Sequence, residues 1–304
     1  MIPQHLVAPL LGLLLAPLVV GVINRIKALV AGRRGPPLVQ PYRDVFKLLR
    51  RGAVYGEGTT PMVRLGPVLN VATLIAALAI VPFPGAPAAI SFTGDLIVLV
   101  GLLALGRFAT VLAALDTGSS FEGMGASREV HFAALAEPAL LIALATLARV
   151  THATDLTGIY GAISINIWVH ALPALALVGV SFLVLELVEN SRIPVDDPTT
   201  HLELTMIHEV MVLDHTGPDL GLIQYGAALK LWIIGVLLVG LAPLHGAESW
   251  VAGVAGVFGM AVLAVVIGMI ESAMARYRMT TVPQFIVGAA TLSAVAFMVL
   301  LVQT

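Results

Sequence analysis

The richest chemistry in this chain lies between Glu189 and Met211, in the run ENSRIPVDDPTTHLELTMIHEVM. It sets Glu189, Asp196, Asp197, Glu203 and Glu209 beside Arg192, His201 and His208, with apolar segments on both sides. Pro194 and Pro198 bracket Val195, Asp196 and Asp197, and the fixed φ of proline makes that bracket a rigid turn. Thr200 and Glu203 have the spacing of a capping box, which predicts a helix over 201–215. At 100° per residue, Leu202, Met206, Val210 and Leu213 share one wedge of that helix. Glu209 projects into the same wedge and Glu203 borders it. A carboxylate on an apolar face loses solvation, which favours its protonated form and suits it to proton carriage near neutral pH. The alternative is a hydrogen-bonded or salt-bridged acid in an interface. His201, His208 and His215 recur every seven residues, about 10 Å apart on a helix, too far for one metal. Polar contacts are their plainer role, and proton exchange the other.

A second set of ionisable residues lies in or at the edges of apolar runs: Arg107, Glu137, Glu186, Lys230 and Glu271. Charge is costly in lipid, so such groups face a bundle interior or water. By depth, Arg107 could pair with Glu137, and Lys230 with Glu186, as static links between helices. Together with Glu189, all of them fall in one half of the membrane. The pattern predicts a polar inlet, open on one side, that stops near mid-membrane and is completed by neighbouring subunits.

The elements that must position these groups are membrane helices. The chain has 304 residues, of which 59% are hydrophobic and 11% charged. Windows of about 20 apolar residues give eight spans, roughly 5–24, 66–83, 94–115, 132–150, 166–188, 221–242, 250–271 and 282–302. The predicted fold is an all-α integral membrane protein, a single polytopic domain over 1–304 with short cytoplasmic loop helices. Residues 24–65 form a basic loop. From Tyr42 onward, Val45, Phe46, Leu48 and Leu49 alternate with Arg43, Lys47, Arg50 and Arg51, as in a helix lying in the membrane interface. Residues 189–220 form the acidic and histidine-bearing loop. The run LDTGSSFEGMGASREV reads as a polar loop between spans three and four. With the first loop inside, thirteen of the sixteen Lys and Arg residues lie on the cytoplasmic side. Both termini are then outside, and the expected location is the cell inner membrane. No cysteine is present, which excludes disulfides, Cys-ligated zinc and Cys-bound iron–sulfur clusters in this chain.

Three blocks carry a family resemblance: RRGPPLVQPYRDVFKLL, FEGMGASRE, and ENSRIPVDDPTTHLEL running on to DHTG. They resemble the membrane subunit at the junction of complex I, the NADH dehydrogenase subunit 1 family. The stretch after Asp197, with Thr200, His201 and His208, looks like the formate hydrogenlyase branch, the membrane subunits of group 4 energy-converting nickel–iron hydrogenases. Asp214 stands where the wider family has a glutamate.

The resemblance implies a membrane anchor with no active site of its own. It would join a peripheral arm, the hydrogenase large and small subunits, to antiporter-like membrane subunits, with lipid around it and no nucleic acid. No cofactor is expected on this chain; the nickel–iron site and iron–sulfur clusters belong to partners. Matching the family's acid chain suggests Glu137, Glu186, Glu189, Glu203 and Glu209 for proton transfer, with Arg107 and Lys230 as buried charge partners. Arg33, Arg34, Arg43, Arg128, Arg192, Asp196 and Asp197 would contact the arm. The alternative is a complex I-type subunit forming part of a quinone chamber. A stand-alone transporter is disfavoured by the one-sided charge and by the lack of an inverted repeat.

Overall fold

The computed structural model describes residues 3–56, 58–196, 206–244 and 246–303. Among these residues are ten α-helices and no strands. In order they are α1 (Gln4–Val30), α2 (Gln40–Leu49), α3 (Met62–Ile80), α4 (Asp95–Asp116), α5 (Ser120–Thr151), α6 (Leu156–Ala162), α7 (Ile165–Glu189), α8 (Gly217–Val239), α9 (Ser249–Ala273) and α10 (Val282–Gln303). All but α2 and α6 are long and apolar enough to cross a bilayer. The chain is a multi-pass, all-α membrane protein. Because the spans alternate in direction, the ends of α1, α4, α7 and α9 and the starts of α3, α5, α8 and α10 share one end of the bundle. That end also carries α2 and most of the charge.

The eight spans fall where the apolar runs put them, with one substantial difference. The segment read as a polar loop between the third and fourth spans is helical from Ser120, so α5 is 32 residues long. One of the glycines that suggested a loop, Gly125, serves packing instead. A Cβ on Gly125 would sit 2.3 Å from Val210 Cγ1 and 2.9 Å from the Ile207 carbonyl oxygen, so glycine lets the 206–212 segment lie against α5.

The helix expected over 201–215 is also corrected, for its described part. Residues 206–216 hold one short 3-10 turn, Glu209–Val212, and then an irregular approach to α8. Met206 and Val210 are buried as the wedge required, but Leu213 is 46% exposed. The 100° projection fails because the segment is packed by its backbone onto α5 and on Asp196. Asp196 Oδ2 accepts from the Ile207 N–H at 2.9 Å and the His208 N–H at 3.3 Å. Residues 197–205, including Asp197, His201 and Glu203, lie outside the described residues.

Small residues bring the spans close. A Cβ on Gly106 would fall 2.6 Å from Thr73 Oγ1, and one on Gly66 2.5 Å from Ala113 Cβ, so α3 and α4 pack backbone to backbone. α10 packs on α5 and α7, and α1 on α9 and α8. Ser181 and Ser293 share a hydrogen bond of 2.7 Å inside the α7–α10 contact. Pro17 removes an N–H from α1 and leaves the Leu13 carbonyl without its helical donor. The Tyr225 hydroxyl of α8 donates to that carbonyl at 2.9 Å, and the Tyr42 hydroxyl of α2 donates to the neighbouring Leu14 carbonyl. Two tyrosines thus bind the carbonyls beside Pro17.

The charged ends of α1 and α7 close in the same way. In each, a left-handed residue follows the helix and two N–H groups fold back onto its last carbonyls. In α1 the left-handed residue is Gly32, with φ 69°; the Arg33 N–H reaches the Ala28 carbonyl at 2.8 Å. In α7 it is Ser191, with φ 48°; the Arg192 N–H reaches the Leu187 carbonyl at 2.8 Å and the Ser191 N–H that of Val188 at 3.1 Å.

Candidate functional site

Arg107 sits on α4 nine residues before its charged end, about 14 Å into the bundle at 1.5 Å per residue. It is 9% exposed and is paired with three acids from two helices. Its guanidinium binds Glu137 of α5 and Glu189, the last residue of α7, and its Nε lies 3.2 Å from Glu129 of α5. Glu129 and Glu137 are eight residues apart, about 12 Å along the helix, and Arg107 bridges between them. Lys230 of α8 joins from the other side, 2.8 Å from Glu189. Two fixed cations therefore face three acids, in a place where buried charge is stable only when paired.

Glu186 lies one turn before Glu189 on the same face of α7. It is fully buried, and among the described residues neither of its carboxyl oxygens has a hydrogen-bond partner. Its charged neighbours are Arg192, Lys230 and Glu189. A cavity of about 50 Å³ adjoins the cluster, lined by Arg107, Glu129, Glu189, Asn190, His208 and Lys230 together with apolar residues of α3, α4 and α8. It has room for a few waters and enough polar partners to hold them.

A second ionic network ties the loop after α7 to the rest of the charged end. Glu271 of α9, whose side chain is fully buried, binds Lys27 of α1 at 2.7 Å and Arg192 at 3.3 Å. Asp196 binds Arg276 at 2.8 Å, and the Tyr277 N–H donates to the Pro194 carbonyl at 2.8 Å. Nearby, Glu122 in the first turn of α5 accepts from the Asp214 N–H at 2.9 Å, and Arg128 donates to the Met206 carbonyl at 2.8 Å. Burial disfavours the charged form of His215, which sits just before α8, and holds its pKa below 6.5. Among the described residues no group of His, Asp or Glu has the arrangement of a metal site.

The structure brings together Arg107, Glu137, Glu189 and Lys230, and sets Glu186 beside them. The pairing of Lys230 is corrected: it binds Glu189, not Glu186, because Glu189 lies one turn nearer the charged end, where the lysine amine reaches. Glu209 is half-buried on the 3-10 turn and does not line the cavity. Glu203 and Asp197 lie outside the described residues. Of the residues expected to face a partner arm, Arg33, Arg34 and Arg43 are exposed and Arg128 is half-buried. Arg192 and Asp196 are 9% and 1% exposed and make ion pairs within the chain. Glu129 was missed as a site residue because its segment read as loop. Its place eight residues before Glu137 on one helix was the signal that could have found it.

Known proteins share this architecture. The NADH dehydrogenase family model matches residues 4–302. Formate hydrogenlyase subunit 4 of Escherichia coli (strain K12) is 31% identical over 283 residues, 88% of this chain and 89% of that protein. Hydrogenase-4 component C of the same organism is 36% identical over 237 residues, 75% of this chain and 71% of that protein. The fold matches a chain of the membrane-bound sulfane sulfur reductase, an archaeal respiratory membrane complex, with a TM-score of 0.81 at 17% identity, covering 98% of both chains. The chain belongs to the NADH dehydrogenase family, that of complex I subunit 1, and within it is similar to the formate hydrogenlyase and hydrogenase-4 components.

Proposed function

We propose that this chain is the membrane-anchor subunit of a hydrogenase complex of the formate hydrogenlyase type, and that it links a peripheral redox arm to proton transfer. The observation that carries the reading is the cluster of Arg107, Glu129, Glu137, Glu189 and Lys230, with Glu186, which has no hydrogen-bond partner among the described residues, beside it. Such a group of acids is too costly in a membrane interior to serve as simple glue, and its water-sized cavity suits proton exchange. In this reading the acid chain runs through Glu186, Glu189 and Glu137, with Glu209 and Glu203 on the side of the 189–220 loop. The charged end of the bundle faces the cytoplasm and both termini face outward. Arg33, Arg34 and Arg43 present cations to the arm, whose large and small hydrogenase subunits hold the nickel–iron and iron–sulfur groups. Antiporter-like subunits continue the path in the membrane. Glu137→Gln and Glu189→Gln in the assembled complex test this. Each is expected to cut proton movement per turnover by about 10²-fold, the lower end of the 10²–10⁴-fold range of a lost acid–base group. Unchanged coupling in both variants refutes the acid-chain role.

One feature favours a second reading, a quinone-type chamber. A cleft of about 440 Å³ between α1, α2 and α8 is lined by Pro17, Tyr42, Arg43, Val45, Phe46, Leu49 and Tyr225. It adjoins a cavity of about 240 Å³ whose lining includes Asn24, Asp44, Arg192 and Gln224. An apolar mouth with a polar inner end suits an amphiphile with a long tail. Quinone retained by the purified complex, and turnover lost on displacing it, would favour this reading over the first.

A further inference from the structure

Arg192 binds one buried acid, Glu271, and has a second, Glu186, among its charged neighbours, and the two are unequally served. Glu271 has two cations, Lys27 at 2.7 Å and Arg192 at 3.3 Å. Glu186 has no hydrogen-bond partner among the described residues, although Arg192 is foremost among its charged neighbours. The other cation near Glu186, Lys230, is held by Glu189 at 2.8 Å. The asymmetry has a simple consequence. If Arg192 leaves Glu271, that carboxylate keeps Lys27; if Arg192 reaches Glu186, it meets an acid with no other hydrogen-bond partner among the described residues. Arg192 also has space to move. It sits just beyond the left-handed Ser191, and its side chain lines the cavity of about 240 Å³ that it shares with Asn24, Asp44 and Gln224.

We propose that Glu271 is a positioning residue for proton transfer: it competes with Glu186 for the Arg192 guanidinium, so that Glu186 keeps its proton while Arg192 rests on Glu271 and releases it when Arg192 crosses over. The inference rests on the reading that Glu186 carries a proton. The balance is closed within the chain and its water. The O–H bond of the Glu186 carboxyl breaks, its electron pair stays on the new carboxylate, and the proton passes by way of the Glu189 carboxylate, one turn along α7, to water in the cavity of about 50 Å³ that Glu189 lines. Arg192 remains a guanidinium throughout, and Glu271 remains an anion paired with Lys27. The reverse crossing reloads Glu186. The charged groups facing this exchange are Lys27 from α1, Asp44 from α2, Glu189 from α7, Lys230 from α8 and Glu271 from α9.

Infrared difference spectra of the purified complex test the proposal. The carbonyl band of a protonated Glu186 is isolated as the part lost in Glu186→Gln. In Glu271→Gln that band is expected to fall about tenfold at neutral pH, because Arg192 then pairs with Glu186, and a cation in contact favours the carboxylate by about one to three pH units. In Glu271→Gln/Arg192→Gln the band is expected to return. A general loosening of the structure would not produce that return. An undiminished band in the single variant, or a band still missing in the double, overturns the proposal. If Glu271→Gln does not assemble, Lys27→Gln gives the converse test. Glu271 is then left with Arg192 as its cation and the band is expected to keep its full intensity; a weakened band overturns the proposal. A wild-type complex with no Glu186 band at any pH would instead refute the underlying view of Glu186 as a proton carrier.

Discussion

At the scale of single residues, the site depends on a guanidinium meeting three carboxylates at once. Arginine offers five donors in a planar fork, whereas lysine offers a point charge. Arg107→Lys is therefore expected to keep the net charge and still strand at least one of Glu129, Glu137 and Glu189. Leaving an acid unpaired costs about 3–5 kcal/mol where it is buried, and less at Glu137, whose side chain is 32% exposed, or at Glu189, which keeps Lys230. The expected outcome is a lower thermal midpoint for the assembled complex; equal stability would mean that the three contacts contribute nothing. Which residues take part was partly legible beforehand. Arg107, Glu137, Glu186 and Lys230 announce themselves as charges in apolar runs. Which acid each cation chooses was not legible, since one helical turn separates Glu186 from Glu189 and depth alone cannot resolve it. The contact of Glu271 on α9 with Arg192 in the loop after α7 joins positions far apart in the chain, and no local pattern encodes it.

At the scale of elements, the exit from α7 decides where Glu189, Arg192 and the following loop point. Ser191 adopts a left-handed conformation that glycine occupies without strain and that side chains with a Cβ resist. Ser191→Gly is expected to be neutral or stabilising by up to about 1 kcal/mol. A β-branched residue such as valine at this position should destabilise the complex by about 1–3 kcal/mol, the usual cost of a strained backbone position. Thermal midpoints of the two variants, measured side by side, check this; a tolerated valine would show that the turn is not constrained. The spans themselves were legible because a bilayer demands about 20 apolar residues in each. The start of α5 was not, because Gly123 and Gly125 read as loop formers until the backbone of the 206–212 segment is seen lying against α5 at Gly125. The helix expected over 201–215 failed in its described part for a related reason. Periodicity assumes that a segment is free to coil, and the N–H groups of Ile207 and His208 are already bound by Asp196.

At the scale of the whole molecule, the distribution of basic residues predicts orientation, and the absence of cysteine makes that prediction simple to test. Single cysteines placed at Arg34 and Glu248, both exposed and at opposite ends of the bundle, would react with an impermeant maleimide with no background from the rest of this chain. Glu248→Cys is expected to label in intact cells and Arg34→Cys only in inverted vesicles; the opposite result would reverse the assigned sidedness. The same one-ended bundle gives a reason for the length of α5. At 1.5 Å per residue its 32 residues extend about 48 Å, against a hydrocarbon thickness of about 30 Å. Even when tilted by about 20°, some three turns stand clear of the lipid. The first of those turns carries Glu122, buried against the segment before α8, and the same rod runs on to Glu129 and Glu137, which both meet Arg107. A protein that moves the 206–212 segment, seated on this shaft at Gly125, would have a lever on the acid below, and Pro138, one residue past Glu137, is where that lever would bend.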